Sequence, residues 1–290
     1  MSTIYSMTGY ASAARDLPQG TFNLELRSVN HRYLDMQFRL PDELKPLEPG
    51  LRETLAGKLM RGKIECRLGL TPPAAGTHLL ELNSDLLAQL RRLDHEVRAK
   101  LPDSRPLSVA DVLRWPGIFG VETLPPEQLR TTCQALLDEA LAEFNASRAR
   151  EGEKLKALLL ERVASMEALV EQVKPRIPAA IAAYEEKLGM RLREAMGTNE
   201  EERIRQELAL FASKIDVDEE LSRLATHLAE LKRILKQGGA VGKRLDFMMQ
   251  ELNREANTLG SKSVDIEVSR VSMELKVLIE QMREQVQNIE

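Results

Sequence analysis

Two glutamates in the C-terminal part of the sequence have a spacing that suits metal chemistry. The segment of residues 242–263 reads GKRLDFMMQELNREANTLGSKS. On a helix, Arg244, Glu251 and Glu255 lie on one flank beside the apolar stripe, because residues four and seven apart are neighbours there. Such carboxylates can share a divalent ion, or they can be an ordinary pair held by arginines. Spacing alone leaves both interpretations open.

A histidine precedes this segment on another predicted helix. Glu220 and Arg223 lie seven and four residues before His227, and Glu230 lies three residues after it. All four side chains therefore share one helix face. An imidazole among carboxylates and a guanidinium can transfer protons at a phosphodiester. A surface ladder of salt bridges that includes one histidine explains the same pattern.

Cations are concentrated between these two predicted helices. Residues 231–245 contain five lysines and arginines and no acidic residue. Gly238, Gly239 and Gly242 lie where one helix is expected to end and the next to begin. Free backbone N–H groups beside cations can bind phosphate, although a helix end followed by a turn is the commoner origin of such a pattern.

Polar side chains also occur where predicted strands meet in the N-terminal part. A connection between two strands and the start of a third carry the candidates Arg27, Asn30, His31, Arg32, Tyr33, Arg61 and Lys63. Such side chains suit RNA, through phosphate contacts and base stacking. A polar hairpin loop is the alternative.

Apolar periodicity predicts the elements that position these residues. Alternation with a period of two indicates strands near residues 4–13, 20–30, 33–40 and 63–70. A helix over residues 42–58 separates the last two strands. After residue 126, apolar residues recur only at helical spacing. The predicted fold class is therefore α+β, with a β-β-α-β-type domain followed by a long all-helical region with bundle or coiled-coil packing.

Three segments are expected within this fold. Residues 1–125 form an α+β domain suited to RNA, residues 126–198 form a long helical hairpin or coiled-coil segment, and residues 199–290 form a helical domain. In the last segment, Gly260 is expected to stop a helix that starts at Val241. The final helix is expected over residues 264–289, and its apolar stripe extends over almost four heptads, which predicts a seam or a long bundle helix.

Composition restricts the class of protein. The chain has 290 residues, 43% of them hydrophobic and 30% charged, with a net charge of −4. These values fit a globular protein and argue weakly against one that coats nucleic acid non-specifically. Cys66 and Cys133 have no metal-ligand spacing and are interpreted as reduced, apolar residues. The sequence shows no secretion signal and no apolar run near the ~18 residues of a membrane span, so a cytoplasmic protein without membrane contact is expected.

Four segments resemble one known family. Residues 6–10 (SMTGY), 25–35 (ELRSVNHRYLD) and 61–66 (RGKIEC) are similar to the amino-terminal region of YicC-like proteins, and residues 242–263 resemble their carboxy-terminal signature almost letter for letter. The resemblance implies an endoribonuclease that depends on a divalent metal. It also implies a homo-oligomer, with a hexamer as the expected form.

The resemblance raises the question of which residues would cleave RNA. The sequence contains no P-loop, HExxH, CxxC or GxSxG motif, and no serine or cysteine site is supported, which leaves a metal ion and carboxylates. We predict that Glu251 and Glu255 hold Mg²⁺ or Mn²⁺ and that Arg244 binds the phosphate. His227 would act as general acid or base if the turn at Gly238-Gly239 brings the two helices together antiparallel.

RNA is the expected partner. Contacts to it are also expected from Lys243, Arg254, Asn257 and Lys262. We predict that one RNA path is lined by Arg27, His31, Arg32, Lys243 and Arg244. Two other classes remain open, a non-catalytic RNA-binding adaptor, which needs the cations but not the glutamates, and a helical oligomeric scaffold, which needs only the apolar seams.

Overall fold

A four-stranded sheet forms the N-terminal part of the protein. The computed structural model describes residues 2–17, 20–71, 82–119, 125–196 and 201–290. The strands are β1 (Gly9–Leu17), β2 (Gly20–Val29), β3 (Leu34–Arg39) and β4 (Gly62–Thr71), in the spatial order β1-β2-β4-β3. β2 pairs antiparallel with β1 and β4, whereas β3 pairs parallel with β4. The predicted strands are confirmed, although the first begins at Gly9 and not near residue 4.

Helices form most of the remaining described chain. They are α1 (Glu48–Lys58), α2 (Ser84–Lys100), α3 (Val109–Arg114), α4 (Pro126–Val173), α5 (Ile177–Met196), α6 (Glu201–Ile215), α7 (Asp218–Gln237), α8 (Gly242–Lys262) and α9 (Ile266–Val286). No strand of the sheet lies after residue 71 in the described ranges, so the α+β class is confirmed. None of the described helices has an apolar stretch long enough to cross a bilayer.

Helix α4 connects two hydrophobic cores. Phe22 and Leu24 of β2 pack with α1 and with the first part of α4, where Phe144 is fully buried. The second part of α4 packs against α7 and α9 through residues such as Leu159 and Met166. At 48 residues, α4 is about 72 Å long. One continuous helix therefore belongs to both halves of the molecule.

Helices α7 and α8 form an antiparallel hairpin, as predicted. The turn contains Gly238 and Gly239, whose φ angles of 70° and 88° favour glycine over other residues. Both helices bury a stripe of leucines and methionines in the same core. Helix α8 also packs against α9, whose buried residues belong to the same core.

The long apolar stripe of α9 is covered within the chain. Val268, Val271, Leu275 and Met282 are buried against α4 and α8. The predicted stripe is therefore largely correct, but it does not by itself require a partner subunit. The helix begins later than predicted because Asp265 caps it, accepting hydrogen bonds from two backbone N–H groups of its first turn.

The prediction that Gly260 ends the preceding helix is wrong. α8 continues through Gly260 to Lys262. A Cβ atom at position 260 would lie 2.5 Å from the Oγ atom of Ser272, which is on α9. The glycine therefore allows a close approach of two helices, and its helical conformation is ordinary. A glycine in a sequence does not distinguish these two uses.

Residues 2–8, here called the N-terminal clasp, attach the sheet to the helical part. Arg148 of α4 is 4% exposed and donates a hydrogen bond of 2.6 Å to the carbonyl oxygen of Ser6. The same guanidinium forms an ion pair with Glu290. The clasp thus bonds to helices and to the last residues of the chain, which explains why β1 starts only at Gly9.

Candidate functional site

Polar side chains line one side of the seam between α7 and α8. Three ion pairs cross it, with N–O distances of 2.9 Å for Lys262–Glu220, 3.5 Å for Arg223–Glu255 and 2.5 Å for Arg244–Glu230. The distances of the two partners from the Gly238-Gly239 turn differ by one residue for Arg223–Glu255, by three for Arg244–Glu230 and by five for Lys262–Glu220. An antiparallel hairpin produces this approximate symmetry, so the sequence indicates the register only approximately.

His227, Glu251 and Glu255 meet at the centre of this seam and are called the carboxylate–histidine cluster below. One possible ligand atom from each of the three lies within 4.8 Å of the others. His227 and Glu251 are half-buried, and Glu255 is 3% exposed. The three residues were predicted from two separate helix faces, and the hairpin brings them together.

The donor set of this cluster fits a divalent cation. Two carboxylates are the ligands that Mg²⁺ and Mn²⁺ use, and the addition of an imidazole favours Mn²⁺ of the two. A buried carboxylate also needs a compensating positive charge. Arg223 lies 3.5 Å from Glu255, which is long for an ion pair, and its other terminal nitrogen binds Glu219 at 2.5 Å.

Glu255 is paired with an arginine of the neighbouring helix. Its arginine partner is Arg223 on the neighbouring helix, and not Arg254, which directly precedes Glu255 but projects outward and is exposed. Adjacent residues on a helix point about 100° apart, so a cross-seam partner is better placed.

The predicted phosphate ligand Arg244 is half-exposed and bound to Glu230. Glu230 also binds Arg233, at 2.7 Å. The hydrogen bond from Arg233, followed by that from Arg244, lowers the pKa of the Glu230 carboxyl to about 2. Arg233, Arg244 and Glu230 together carry one net positive charge at neutral pH. Of the three, Arg244 lies on the same flank of α8 as Glu251.

Lys262 is held at the far end of the seam. Its ammonium group is 2.9 Å from Glu220 and donates to the carbonyl oxygen of Asp216 at 3.2 Å. The second carboxylate oxygen of Glu220 is buried without a hydrogen-bond partner among the described residues. Lys262 is about one-third exposed, so it has less freedom to reach a substrate than the other candidate cations.

A cavity of about 390 Å³ joins the N-terminal and C-terminal candidates. Asn30, Arg32 and Arg61 line it from the sheet side, and Lys243 lines it from the start of α8. More than 180 residues of chain separate Arg61 from Lys243. The structure therefore brings together four of the predicted RNA contacts, three of them cationic, in what is called the junction cavity below.

Other predicted RNA contacts lie apart from this cavity. Arg27 and Lys63 are on the open face of the sheet, where Arg27 is opposite Tyr10 and Glu65. Arg244 is on the other flank of α8, in the seam. Of the five residues predicted to line one path, the cavity contains only Arg32 and Lys243.

The turn before β3 and the outer side of α8 carry the remaining candidates. His31 places its Nδ1 atom 3.0 Å from the carbonyl oxygen of Tyr33, and its own carbonyl oxygen accepts a hydrogen bond from Arg61. Tyr33 is 64% exposed, and the Arg32 guanidinium lies 5.3 Å from its ring centre. Asn257 is exposed. His31 therefore stabilises the turn, while Tyr33 remains open to a ligand.

Comparisons with known proteins cover almost the whole chain. The family described as "Endoribonuclease YicC-like, N-terminal region" matches residues 4–157, and the one described as "Endoribonuclease YicC-like, C-terminal" matches residues 173–290. A protein of Haemophilus influenzae named "Probable endoribonuclease YicC" is 42% identical over 287 residues, which are 99% of this chain and 100% of that protein. A protein of Clostridioides difficile with the same name is 30% identical over 292 residues, which are 98% and 99% of the two chains.

Proposed function

Because the chain belongs to the YicC-like endoribonuclease family, we propose that it cleaves phosphodiester bonds in RNA with a divalent ion held at the carboxylate–histidine cluster. The observation that supports this is the convergence of His227, Glu251 and Glu255 within 4.8 Å at a seam bordered by arginines. A binding adaptor needs no such group of ligands. A scaffold needs neither the cluster nor the cations.

In this proposal, Glu251 and Glu255 hold Mn²⁺ or Mg²⁺. A bound ion would neutralise charge that develops on the phosphate oxygens. His227 lies close enough to both carboxylates to reach the same phosphate, and its imidazole is the group suited to moving a proton there. Arg244 would bind a phosphate oxygen through the part of its guanidinium that Glu230 leaves exposed.

The junction cavity would hold RNA next to the cluster. Lys243 is eight residues before Glu251 on α8, about 12 Å along the helix axis. Arg32 and Arg61 face the same cavity and would bind phosphates without reading the base sequence. The negative net charge of the chain does not oppose this, because local charge controls the binding of RNA.

The catalytic part is tested with Glu251→Gln and Glu255→Gln, singly and together. We expect each change to abolish metal-dependent cleavage and to weaken Mn²⁺ binding, measured by electron paramagnetic resonance, while RNA affinity persists. Glu280→Gln is the control, since Glu280 is an exposed glutamate of α9 whose ion-pair partner is Arg283. A folded and fully active double variant would exclude the site.

A purely structural role for the same glutamates makes a different prediction. Loss of Glu255 would then leave Arg223 without its buried partner and lower the melting temperature. Activity would fall only in proportion to the fraction of folded protein. Melting curves and Mn²⁺ titrations of the same samples separate this explanation from metal binding.

The RNA-binding part is tested with Lys243→Ala and Arg61→Ala. Each lost phosphate contact should weaken binding and reduce the slope of log affinity against log salt by about one unit. Lys276→Ala is the control, because Lys276 is exposed on α9 and does not line the junction cavity. Unchanged affinity and slope in both variants would rule out the cavity as an RNA site.

We also propose that the protein acts as a homo-oligomer of more than two subunits, with a hexamer as the expected form. The support is an exposed apolar groove of about 700 Å³ between α4 and α9, lined by Leu169, Met273, Val277 and Leu278. Met273 and Val277 are 68% and 58% exposed, and a contiguous patch of this kind is typical of an interface. Light scattering at micromolar concentration tests this. A monomeric mass contradicts it, and Met273→Glu should reduce the mass.

A further inference from the structure

Phe247 on α8 is the exception among the phenylalanines of this protein. It is 57% exposed, whereas the other five are buried or half-buried. It is also the only Phe, Tyr or Trp in α7, α8 and α9. Because it is exposed, Phe247 does not contribute the roughly 1.5–3 kcal/mol of stabilisation that full burial of such a side chain provides. A single exposed apolar residue is common on protein surfaces, so its surroundings must decide whether it has a role.

The position of Phe247 relates it to the carboxylate–histidine cluster. It precedes Glu251 by four residues and follows Arg244 by three, so it is the neighbour of both on the surface of α8. The distance from Phe247 to Glu251 along the helix axis is about 6 Å. A group that contacts the ring is therefore next to any phosphate held at the cluster.

The cations on the outer face of α8 support a nucleic-acid ligand. Lys243 and Arg254 lie four residues before and seven after Phe247, on the same face. Both are exposed, and neither forms an ion pair with any residue that the structure describes. By contrast, the cations of the seam, such as Arg244 and Lys262, each have a carboxylate partner. Unpaired cations on both sides of an exposed ring form the combination that binds single strands, through phosphates and base stacking.

We propose that Phe247 stacks on an unpaired base next to the cleaved bond and thereby selects single-stranded regions of RNA. The inference rests on the proposed ribonuclease function and adds to it a positioning residue and a substrate class. In a duplex the bases are stacked on one another and their faces are not accessible, so only an unpaired nucleotide can cover the ring. Cleavage would then be directed to loops, bulges or ends.

Binding without cleavage provides the test. The full-length protein is titrated in EDTA with a labelled single-stranded oligoribonucleotide and with a duplex of the same sequence, and anisotropy is recorded. Phe247→Ala should weaken single-strand binding by roughly 10- to 100-fold, and Phe247→Tyr should restore it. Duplex affinity should change by less than about twofold. Phe247→Leu is the matched variant, since it retains apolar volume without an aromatic face, and it should resemble Phe247→Ala.

The salt dependence of binding separates stacking from charge. Phe247→Ala removes no phosphate contact, so the salt slope should remain that of the wild type, unlike in Lys243→Ala. Mn²⁺ binding at the cluster should also be unchanged. A melting curve and a light-scattering mass equal to those of the wild type would show that fold and assembly persist.

Three results would overturn the proposal. They are an unchanged single-strand affinity in Phe247→Ala, an equal loss for single strand and duplex, and a loss of oligomer mass, which would assign the ring to a protein interface. The catalytic proposal is judged independently, because binding is measured in EDTA. If cleavage proves independent of Glu251 and Glu255 while Phe247→Ala still loses single-strand affinity, the stacking role of Phe247 is supported and the metal site is refuted.

Discussion

Replacement of Gly152 by alanine tests how the two halves of this protein are joined. Gly152 is buried on α4, and a Cβ atom there would lie 2.0 Å from the carbonyl oxygen of Ile4 in the N-terminal clasp. The obstructing atoms belong to the backbone, so no side-chain rotation relieves the overlap. In an exposed helix the same substitution stabilises by roughly 1 kcal/mol. The structure therefore predicts that Gly152→Ala destabilises the protein, which is the opposite of the usual effect of this substitution in a helix.

The size of the effect follows from what must move. Ordinary contact begins near 3.4 Å, so the clasp must shift by about 1.4 Å at Ile4. That shift breaks the hydrogen bond from Ser6 N–H to the Arg148 carbonyl oxygen (3.0 Å), worth about 1 kcal/mol, and the one from the Arg148 guanidinium back to Ser6 (2.6 Å), worth about 1.5–3 kcal/mol. Exposure of the Ile4 side chain, which is now 2% exposed, adds up to roughly 3 kcal/mol if it is complete and less if it is partial.

The expected net loss is therefore about 1.5–6 kcal/mol, after the helix-propensity gain of roughly 1 kcal/mol is subtracted. Urea titration followed by circular dichroism measures it as a lower midpoint. The matched control is Gly189→Ala in the middle of α5, where the nearest atom would be 3.7 Å from the new Cβ. That variant should be unchanged or stabilised by up to about 1 kcal/mol.

This prediction also links stability to the candidate site. The clasp leads directly into β1, and the sheet carries Arg32 and Arg61 to the junction cavity. A displaced clasp should therefore weaken RNA binding in folded Gly152→Ala protein. If Gly152→Ala is as stable as Gly189→Ala, then the clasp does not occupy the groove beside α4, and the reasoning about how the two halves join is refuted.

Two further predictions concern ionisation. The pKa of Glu230 is lowered from its usual 4.5 to about 2 by Arg233 and then Arg244, so its contribution to stability is present above pH 4.5 and is lost as the pH falls through 2. The melting-temperature difference between wild type and Glu230→Gln should therefore shrink over that range, and a constant difference would contradict the assignment. Burial raises the pKa of Cys66 to about 12 and that of Cys133 to about 11. Neither thiol should react with Ellman's reagent at about pH 8 in the native protein, and both should react in urea; rapid native reaction would show that they are accessible.

Most secondary structure could be predicted from local pattern. Alternation in β2 and β4 reflects a sheet with one covered face, and the stripes of α7, α8 and α9 reflect helices with one buried side. These patterns are local because a side chain's direction depends only on its place in the strand or helix. The cysteines follow the same logic: both are buried and free, as their interpretation as apolar residues required.

The candidate site was also partly predictable, for a geometric reason. His227 and Glu251 lie at nearly equal distances from the Gly238-Gly239 turn, and an antiparallel hairpin makes such residues neighbours. The same rule gives Arg223 as the partner of Glu255. The catalytic role of the cluster, its metal and the oligomeric state remain predictions for the experiments above.

The tertiary structure alone decided the features that depend on residues far apart in the chain. Residues 4–7 have a strand-like pattern but lie against helices, and Gly260 serves close helix packing, because each is determined by a surface that local sequence does not describe. The junction cavity is the functional example, since Arg61 and Lys243 line the same cavity only because α4 and the clasp hold the sheet beside the start of α8. Periodicity reports which side of an element is buried, whereas the partner that buries it is selected by the fit of whole surfaces.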